Sequence, residues 1–487
     1  MKNIKKTILL WLKNKKRMLS ALLVVLAVPF FSGCGTQTKS YAVKLEIWGM
    51  LDESVVYNDV ITKYKELNPY AVDIKYRKFS PDTYKQELID GLASGQGPDI
   101  FLINNTWLPS FENKIEPAPS VLISEQEMAT NFPDVVSFDF LGQQKVYAVP
   151  LSVDSLQLYY NKDIFNAAGI TTPPKNWQEF SADVQALTRV DATGNIIKAG
   201  VAMGTTQNVS RFADIFTMLM IQNGVQLPAK KGETAKIDQG VVGQDGNIIQ
   251  AGEQALGYYT QFAKTSTGSN LPNPFYSWNS RQVNSIEAFA GGNVAMMLGY
   301  AWQGKDLKNK NPKLNFAVAP LPQVDITKPA TIAGYWGYAV AKNKISPTTN
   351  QQGVAVAPVG NEVRTHEAWQ FLKFLTLKNS GKVTLVNAIT KGSKEFPVNY
   401  DPALEYLKKT NQPAARRDLI ELQKIDAQLG VFAQGNLIAR SWYRVDPENT
   451  EKIFAEGIDA VISGSSSLRQ VMLLINNRLN TLMQGKR

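Results

Sequence analysis

Tyr41-Ala42-Val43-Lys44-Leu45-Glu46-Ile47-Trp48-Gly49 alternates apolar and polar side chains and stops at glycine, the period of a half-buried strand. Outward from it the chain keeps changing element type. Val55 to Leu67 places Val56, Val60, Ile61 and Tyr64 on one helical face and is stopped by Asn68-Pro69. Val72 to Tyr76 reads as a second strand, and Asp82 to Ala93 as a second helix between Pro81 and Gly95. Gly97-Pro98-Asp99 then turns into the short apolar run Ile100-Phe101-Leu102-Ile103. Strand, helix, strand, helix, strand predicts an α/β fold with a parallel sheet.

The middle continues in the same style. Val146 to Val149 and Leu156 to Tyr160 read as strands, the second leading into a helix with Ile164, Phe165 and Ala168. Trp177 and Phe180 open another helix, and Asp191-Ala192-Thr193-Gly194-Asn195 is a turn that lacks the later acidic ligands of a calcium loop. Val294 to Leu298 is a strand, and His366 to Leu377 an amphipathic helix. Glu451 to Met483 reads as two helices broken at Gly464-Ser465-Ser466-Ser467. Ser346 to Arg364 reads as a long loop.

Seven basic residues (Lys2, Lys5, Lys6, Lys13, Lys15, Lys16, Arg17) precede the uncharged stretch Met18 to Phe31, which ends in Ser32-Gly33-Cys34. A basic segment, an apolar segment and small residues form a secretory signal. Its 14 uncharged residues fall short of the ~20 that a spanning helix needs. Cys34, the only cysteine, makes the junction resemble a bacterial lipobox, with signal 1–33 removed and Cys34 lipidated. Phe31 stands where an aliphatic residue is usual, and an ordinary secretory signal with an incidental cysteine is the other reading. Residues 34–40 read as a polar tether. The net charge of +10 falls to about +3 once the seven signal charges are set aside, and no basic stripe points to nucleic acid. The 454 residues left of 487 exceed one usual domain.

Much chemistry is excluded. A Ser–His–Asp triad would have to use His366, the one histidine, which reads as a polar residue at a helix start. One cysteine and one histidine build no Cys/His zinc site. No phosphate-binding P-loop is present, and no cofactor is expected. A glycosidase would need two carboxylates about 5–9.5 Å apart, and Asp154 alone stands out.

Of nine tryptophans, Trp177 and Trp369 sit in helical patterns. Trp48, Trp107, Trp278, Trp302, Trp336 and Trp442 fall at strand ends or in polar turns. Ligands of open α/β sheets lie beyond the carboxyl ends of strands. Trp48 ends the first strand, Trp107 follows the third, Tyr300 and Trp302 follow Val294 to Leu298, and Tyr335 and Trp336 lie between Gly334 and Gly337, where glycines let a ligand approach. Flat aromatic faces suit the C–H faces of sugar rings. Packing under loops is the bland alternative for each.

Ala93-Ser94-Gly95-Gln96-Gly97-Pro98-Asp99-Ile100, the block Tyr147-Ala148-Val149-Pro150-Leu151-Ser152-Val153-Asp154 running on to Asn161-Lys162-Asp163, Ala288-Phe289-Ala290-Gly291-Gly292-Asn293-Val294, Gly334-Tyr335-Trp336-Gly337, Glu367-Ala368-Trp369-Gln370-Phe371-Leu372 and Pro413-Ala414-Ala415-Arg416-Arg417 occur in one order. Together they resemble extracellular solute-binding proteins of the carbohydrate, maltose-binding-like class. The resemblance implies a type II periplasmic-binding-protein-like α/β fold. Its N-terminal lobe would be 41–151 plus about 335–395, and its C-terminal lobe 152–334 plus about 396–487. A ligand cleft would lie between them. It implies a monomer without catalysis that delivers sugar to ABC permease subunits at the membrane. Asp154 would accept from sugar hydroxyls, Asn105 and Trp107 would line the first lobe, Trp302, Trp336 and Trp442 would stack, and Arg416 would donate. The same residues also read as a turn cap (Asp154) and an inter-helix ion pair (Arg416). A peptide, a polyamine or a sensor partner is the alternative use of the same fold.

Overall fold

The opening alternation becomes a strand with Val43, Leu45 and Ile47 buried on one face. The computed structural model describes residues 43–70, 72–243, 246–266, 272–344 and 360–485. The expected signal, Cys34, the expected tether and most of the expected loop at 346–364 lie outside the described residues.

β1 (Val43–Gly49), α1 (Val55–Leu67), β2 (Val72–Lys78), α2 (Pro81–Ser94) and β3 (Ile100–Asn104) follow in the expected order, and α3 (Asp134–Phe140) precedes the first crossing. The second lobe carries β4 (Gln157–Asn161), α4 (Trp177–Leu187), β5 (Arg189–Val190), β6 (Ile196–Val201), α5 (Phe212–Gln222), β7 (Val294–Gly299), α6 (Ala301–Lys310) and β8 (Phe316–Ala319). The chain returns through β9 (Thr331–Ile332) and β10 (Trp336–Val340). It ends with α7 (Asn361–Thr376), α8 (Pro402–Thr410), α9 (Arg417–Gln423), α10 (Leu429–Ile438), β11 (Ala439–Arg440), α11 (Pro447–Ile462) and α12 (Leu468–Gln484).

Two sheets organise these elements. The first runs β10-β3-β1-β2, with β1 parallel to both neighbours and β10 antiparallel to β3, Trp336 opposite Asn104. The second runs β8-β4-β7-β6-β5. All six residues of β7 are buried, and a strand covered on both faces reads as a continuous apolar run. Leu158, Phe289, Met296 and Phe316 fill the second core, each such burial contributing about 1.5–3 kcal/mol. Crossing segments join the lobes: Val149 bridges Tyr338, Ser155 bridges Ala333, and β9 pairs with β11.

Helix boundaries follow their caps. Asn176 accepts from the Glu179 amide to start α4, and Ser467 with Gln470 forms a capping box that starts α12 after the glycine-serine break.

Three boundaries differ from expectation. α8 packs on α1 and α7 of the first lobe, because its apolar side (Ala403, Tyr406, Leu407) is buried there and Tyr406 donates to Asp52 at 3.0 Å. First-lobe structure therefore runs past residue 396, and α10 is the returning element, its Phe432 joining the second core. Arg364 sits inside α7, donating to Asp99 and to the Ala341 carbonyl. His366 likewise lies within that helix rather than at its start, its Nε2 2.9 Å from the Val386 carbonyl.

Candidate functional site

Where β3 ends, Asn105 and Trp107 leave the first sheet beside the start of β10. The Asn105 amide donates to the Tyr335 carbonyl at 3.0 Å. Its side-chain Nδ2 donates to Asp139 at 3.0 Å, and the Tyr335 hydroxyl donates to the same carboxylate oxygen at 2.9 Å. Burial pushes Asp139 up to about 6, with the hydrogen bonds from Asn105 and Tyr335 pulling the other way. Trp107 and Trp336, both half-buried, meet edge to face at 5.0 Å. Phe111 stacks on Trp107 at 5.6 Å, and the Lys85 ammonium lies 5.3 Å from its centroid.

On the second lobe, Asp154 leaves the crossing strand at the start of α6. Its carboxylate accepts from the Ala301 and Ser155 amides, both at 2.8 Å, and the first of these is an otherwise open N–H group of a helix start. Burial pushes Asp154 up to about 7 despite those hydrogen bonds. One residue past Ala301, Trp302 is 42% exposed, a large apolar face presented to solvent. Tyr300 is buried, and its hydroxyl donates to Asp214 at 3.0 Å. Arg211, held at φ 64° before α5, also grips Asp214, its Nε donating at 2.8 Å. A non-glycine residue at positive φ is strained, and the ion pair offsets that strain.

The lobes meet along residues 441–445. Trp442 stacks on Phe454 and belongs to the second core, and the Arg444 guanidinium lies 5.3 Å from its ring centroid. Ser110 of the first lobe donates to the Val445 carbonyl at 3.0 Å, and Lys85 pairs with Glu448. A cavity of about 510 Å³ lies alongside, between Pro109 and Ser110 of the first lobe and Lys231, Tyr443 and Asn480 of the second. That volume suits a small ligand.

Several expected site residues are placed differently. Trp48 is buried against Phe79, its indole N–H donating to Glu46 at 2.8 Å. A Cβ on Gly91 would stand 2.9 Å from its ring, so that glycine seats Trp48 in the first core. Arg416 is 2% exposed and makes the ion-pair alternative, donating to Asp401 and to Asp418. Its donors are spent on those two carboxylates. Trp278 is a core residue donating to Asn208. The glycines flanking Tyr335 and Trp336 make room for the protein's own rings: a Cβ on Gly334 would meet Tyr300 at 2.8 Å, and one on Gly337 would meet Phe140 at 2.6 Å. Asn105, Tyr300 and Tyr335 are buried with their polar groups engaged, and Asp154 caps a helix. Trp107, Trp302 and Trp336 keep exposed surface.

Asp139, Arg211, Asp214 and Arg444 escaped the sequence reading. Asp139 between Phe138 and Phe140, and Arg444 between Tyr443 and Val445, are charges set in apolar runs, the one local signal they carry. Among the described residues, no cluster of three or more His, Cys, Asp or Glu side chains suits a metal, and no helix is long and apolar enough to cross a membrane.

This is the architecture of a two-lobed binding protein. The sequence matches the bacterial extracellular solute-binding protein family over residues 51–381, and the chain belongs to that family, whose members bind solutes rather than transform them. The diacetylchitobiose binding protein DasA of Streptomyces coelicolor is 24% identical over 245 residues, which are 50% of this chain and 52% of that protein. Solved structures of sugar-binding proteins share the fold. The cyclic α-maltosyl-1,6-maltose binding protein of Arthrobacter globiformis superimposes with a TM-score of 0.67 at 17% identity, covering 91% of this chain and 100% of that one. The sugar-binding protein MalE of Xanthomonas citri gives 0.65 at 17% identity, covering 91% and 98%.

Proposed function

We propose that this protein is the extracytoplasmic sugar-binding subunit of an ABC importer, held at the membrane by lipid on Cys34. The observation that carries the sugar reading is the aromatic surface left uncovered on three of the expected ligand residues: Trp107 and Trp336 meet at 5.0 Å and are each half-buried, and Trp302 is 42% exposed. Each ring that stacks on a sugar contributes about 0.5–1.5 kcal/mol. Relatives and neighbours named for diacetylchitobiose, cyclic maltosyl-maltose and sugar binding support the same class of ligand.

In this reading the lobes rotate about the crossing segments and close on an oligosaccharide. Ligand favours the closed form only by binding it better than the open one. The closed face then docks on permease subunits, which receive the sugar. A lipid on Cys34 and the polar segment after it keep the binding body near that partner, with no chemistry required of the chain.

A thermal-shift panel of mono- and oligosaccharides tests it. Ligand at a hundredfold excess over its dissociation constant adds about 2.7 kcal/mol, so at least one sugar is expected to raise Tm clearly. A shift with peptides or polyamines and none with sugars overturns the reading. Mass spectrometry of the mature N-terminus tests the lipid separately.

A further inference from the structure

Arg444 is a cation with no counterion in contact. It is 6% exposed, its Nε is buried without an acceptor, and among the described residues it forms no ion pair. The carboxylates of Asp214, Asp139 and Glu451 are close enough to feel its charge, yet the first two are committed elsewhere. Asp214 takes Arg211 and Tyr300, and Asp139 takes Asn105 and Tyr335. A buried guanidinium nitrogen left without an acceptor is costly. The indole Nε1 of Trp442, under that guanidinium, is also buried without a partner.

The imbalance has a chemical meaning. A neutral sugar offers hydroxyls, which need acceptors as well as donors. Here three buried carboxylates are already engaged, Asp154 by two backbone amides, Asp139 and Asp214 by side chains, while the Ser441 hydroxyl is buried without a partner. The open nitrogens in this segment are those of Arg444 and Trp442, and a guanidinium fork matches a carboxylate in two parallel hydrogen bonds. Repulsion from the neighbouring carboxylates is tempered, because Arg211 pairs with Asp214, burial pushes Asp139 up to about 6, and burial together with Asp214 pushes Glu451 up as well.

We propose that the ligand of this cleft is an acidic sugar, bearing a carboxylate as a uronic acid residue does, and that Arg444 receives that carboxylate; this rests on the sugar-binding reading above. Arg444 then sets specificity, and the rings of Trp107, Trp302 and Trp336 hold the sugar faces.

Matched ligands test it. The full-length protein, kept in detergent, is titrated calorimetrically with uronic acid oligomers (oligogalacturonate, oligomannuronate, oligoglucuronate) and with the same oligomers after their carboxyls are reduced to alcohols. An acidic oligomer is expected to bind tighter than its reduced counterpart by about tenfold or more. In Arg444→Gln that preference is expected to vanish, the acidic oligomer losing more affinity than its reduced counterpart, and Arg444→Lys is expected to keep part of it. Equal or tighter binding of reduced oligomers by the wild type overturns the proposal and leaves the sugar reading standing. Binding of neither set overturns both. Equal losses for acidic and reduced oligomers in Arg444→Gln make the residue a support of the fold and overturn its assigned role. If that variant does not fold, the wild-type comparison decides.

Discussion

The Asp154 carboxylate accepts the Ala301 amide at 2.8 Å, and this bond fastens the crossing strand to the helix end that presents Trp302. Its loss acts on two levels. Removing a side-chain acceptor at a helix start costs about 0.5–2 kcal/mol, and freeing α6 also releases the aromatic ring beside it. Asp154→Ala is therefore expected to lower stability by about 1–2 kcal/mol in urea unfolding and to weaken sugar binding. A variant with reduced stability and unchanged affinity would show that the α6 start takes no part in binding.

The same carboxylate gives the fold a pH dependence of definite sign. Burial pushes Asp154 up to about 7, against about 3.9 in the unfolded chain. Between these values the folded state holds a proton that the unfolded state has released, so stability falls as pH rises. The loss begins near pH 4 and is complete above about 7. Asp139, pushed up to about 6, adds a loss of the same sign over a narrower window. Urea unfolding at pH 5 and pH 8 is expected to show the wild type losing more stability than Asp154→Asn over that interval. Equal losses in the two proteins would refute a buried, proton-holding Asp154.

The first sheet was legible because each of its signals is local: the alternation of β1, the Asn68-Pro69 stop and the turn at Gly97-Pro98-Asp99 lie within a few residues of what they govern. The order of family blocks extended that reading to two lobes. What failed depended on partners distant in sequence. Trp48 alternates out of the Ile47 face, but only Gly91, forty-three residues on, makes the slot that buries it. Arg416 meets Asp401 from fifteen residues away, and the extent of the first lobe was set by Tyr406 reaching Asp52. Arg444 stood in plain view beside Trp442, yet its lack of a counterion exists only in three dimensions.

Burial separates the tryptophans into two functional groups. Trp48→Ala leaves a hole between Phe79 and Gly91, and such truncations cost about 3–5 kcal/mol. Whatever protein remains folded is expected to bind sugar as the wild type does. Trp336→Ala, at a half-buried position, is expected to change Tm little and to weaken binding about threefold to tenfold. Calorimetric affinity and thermal unfolding measured on both variants check the pair, and the reverse pattern would exchange their roles.

Arg416 is assigned to structure by the two carboxylates it holds. Its own side chain is 2% exposed, while Asp401 and Asp418 are 27% and 33% exposed, so solvent screens part of the interaction. Arg416→Ala is expected to cost about 2–3 kcal/mol and to leave sugar affinity unchanged in the folded fraction. A large affinity loss at wild-type stability would return Arg416 to the binding site.

Lys85 on α2 and Glu448 on α11 pair across the cleft, and their exposure limits what that pairing achieves. The side chains are 39% and 75% exposed, and exposed pairs contribute at most about 1 kcal/mol, or about fivefold in affinity. In the closing motion proposed above the pair belongs to the closed form, so its contribution is expected in the ligand-bound state. Glu448→Ala is expected to weaken sugar binding by less than about fivefold at low salt. At about 1 M salt, where the screening length shrinks to about 3 Å, variant and wild type are expected to bind equally. A hundredfold loss, or one that persists at high salt, would mean that Glu448 touches the ligand itself rather than the opposite lobe.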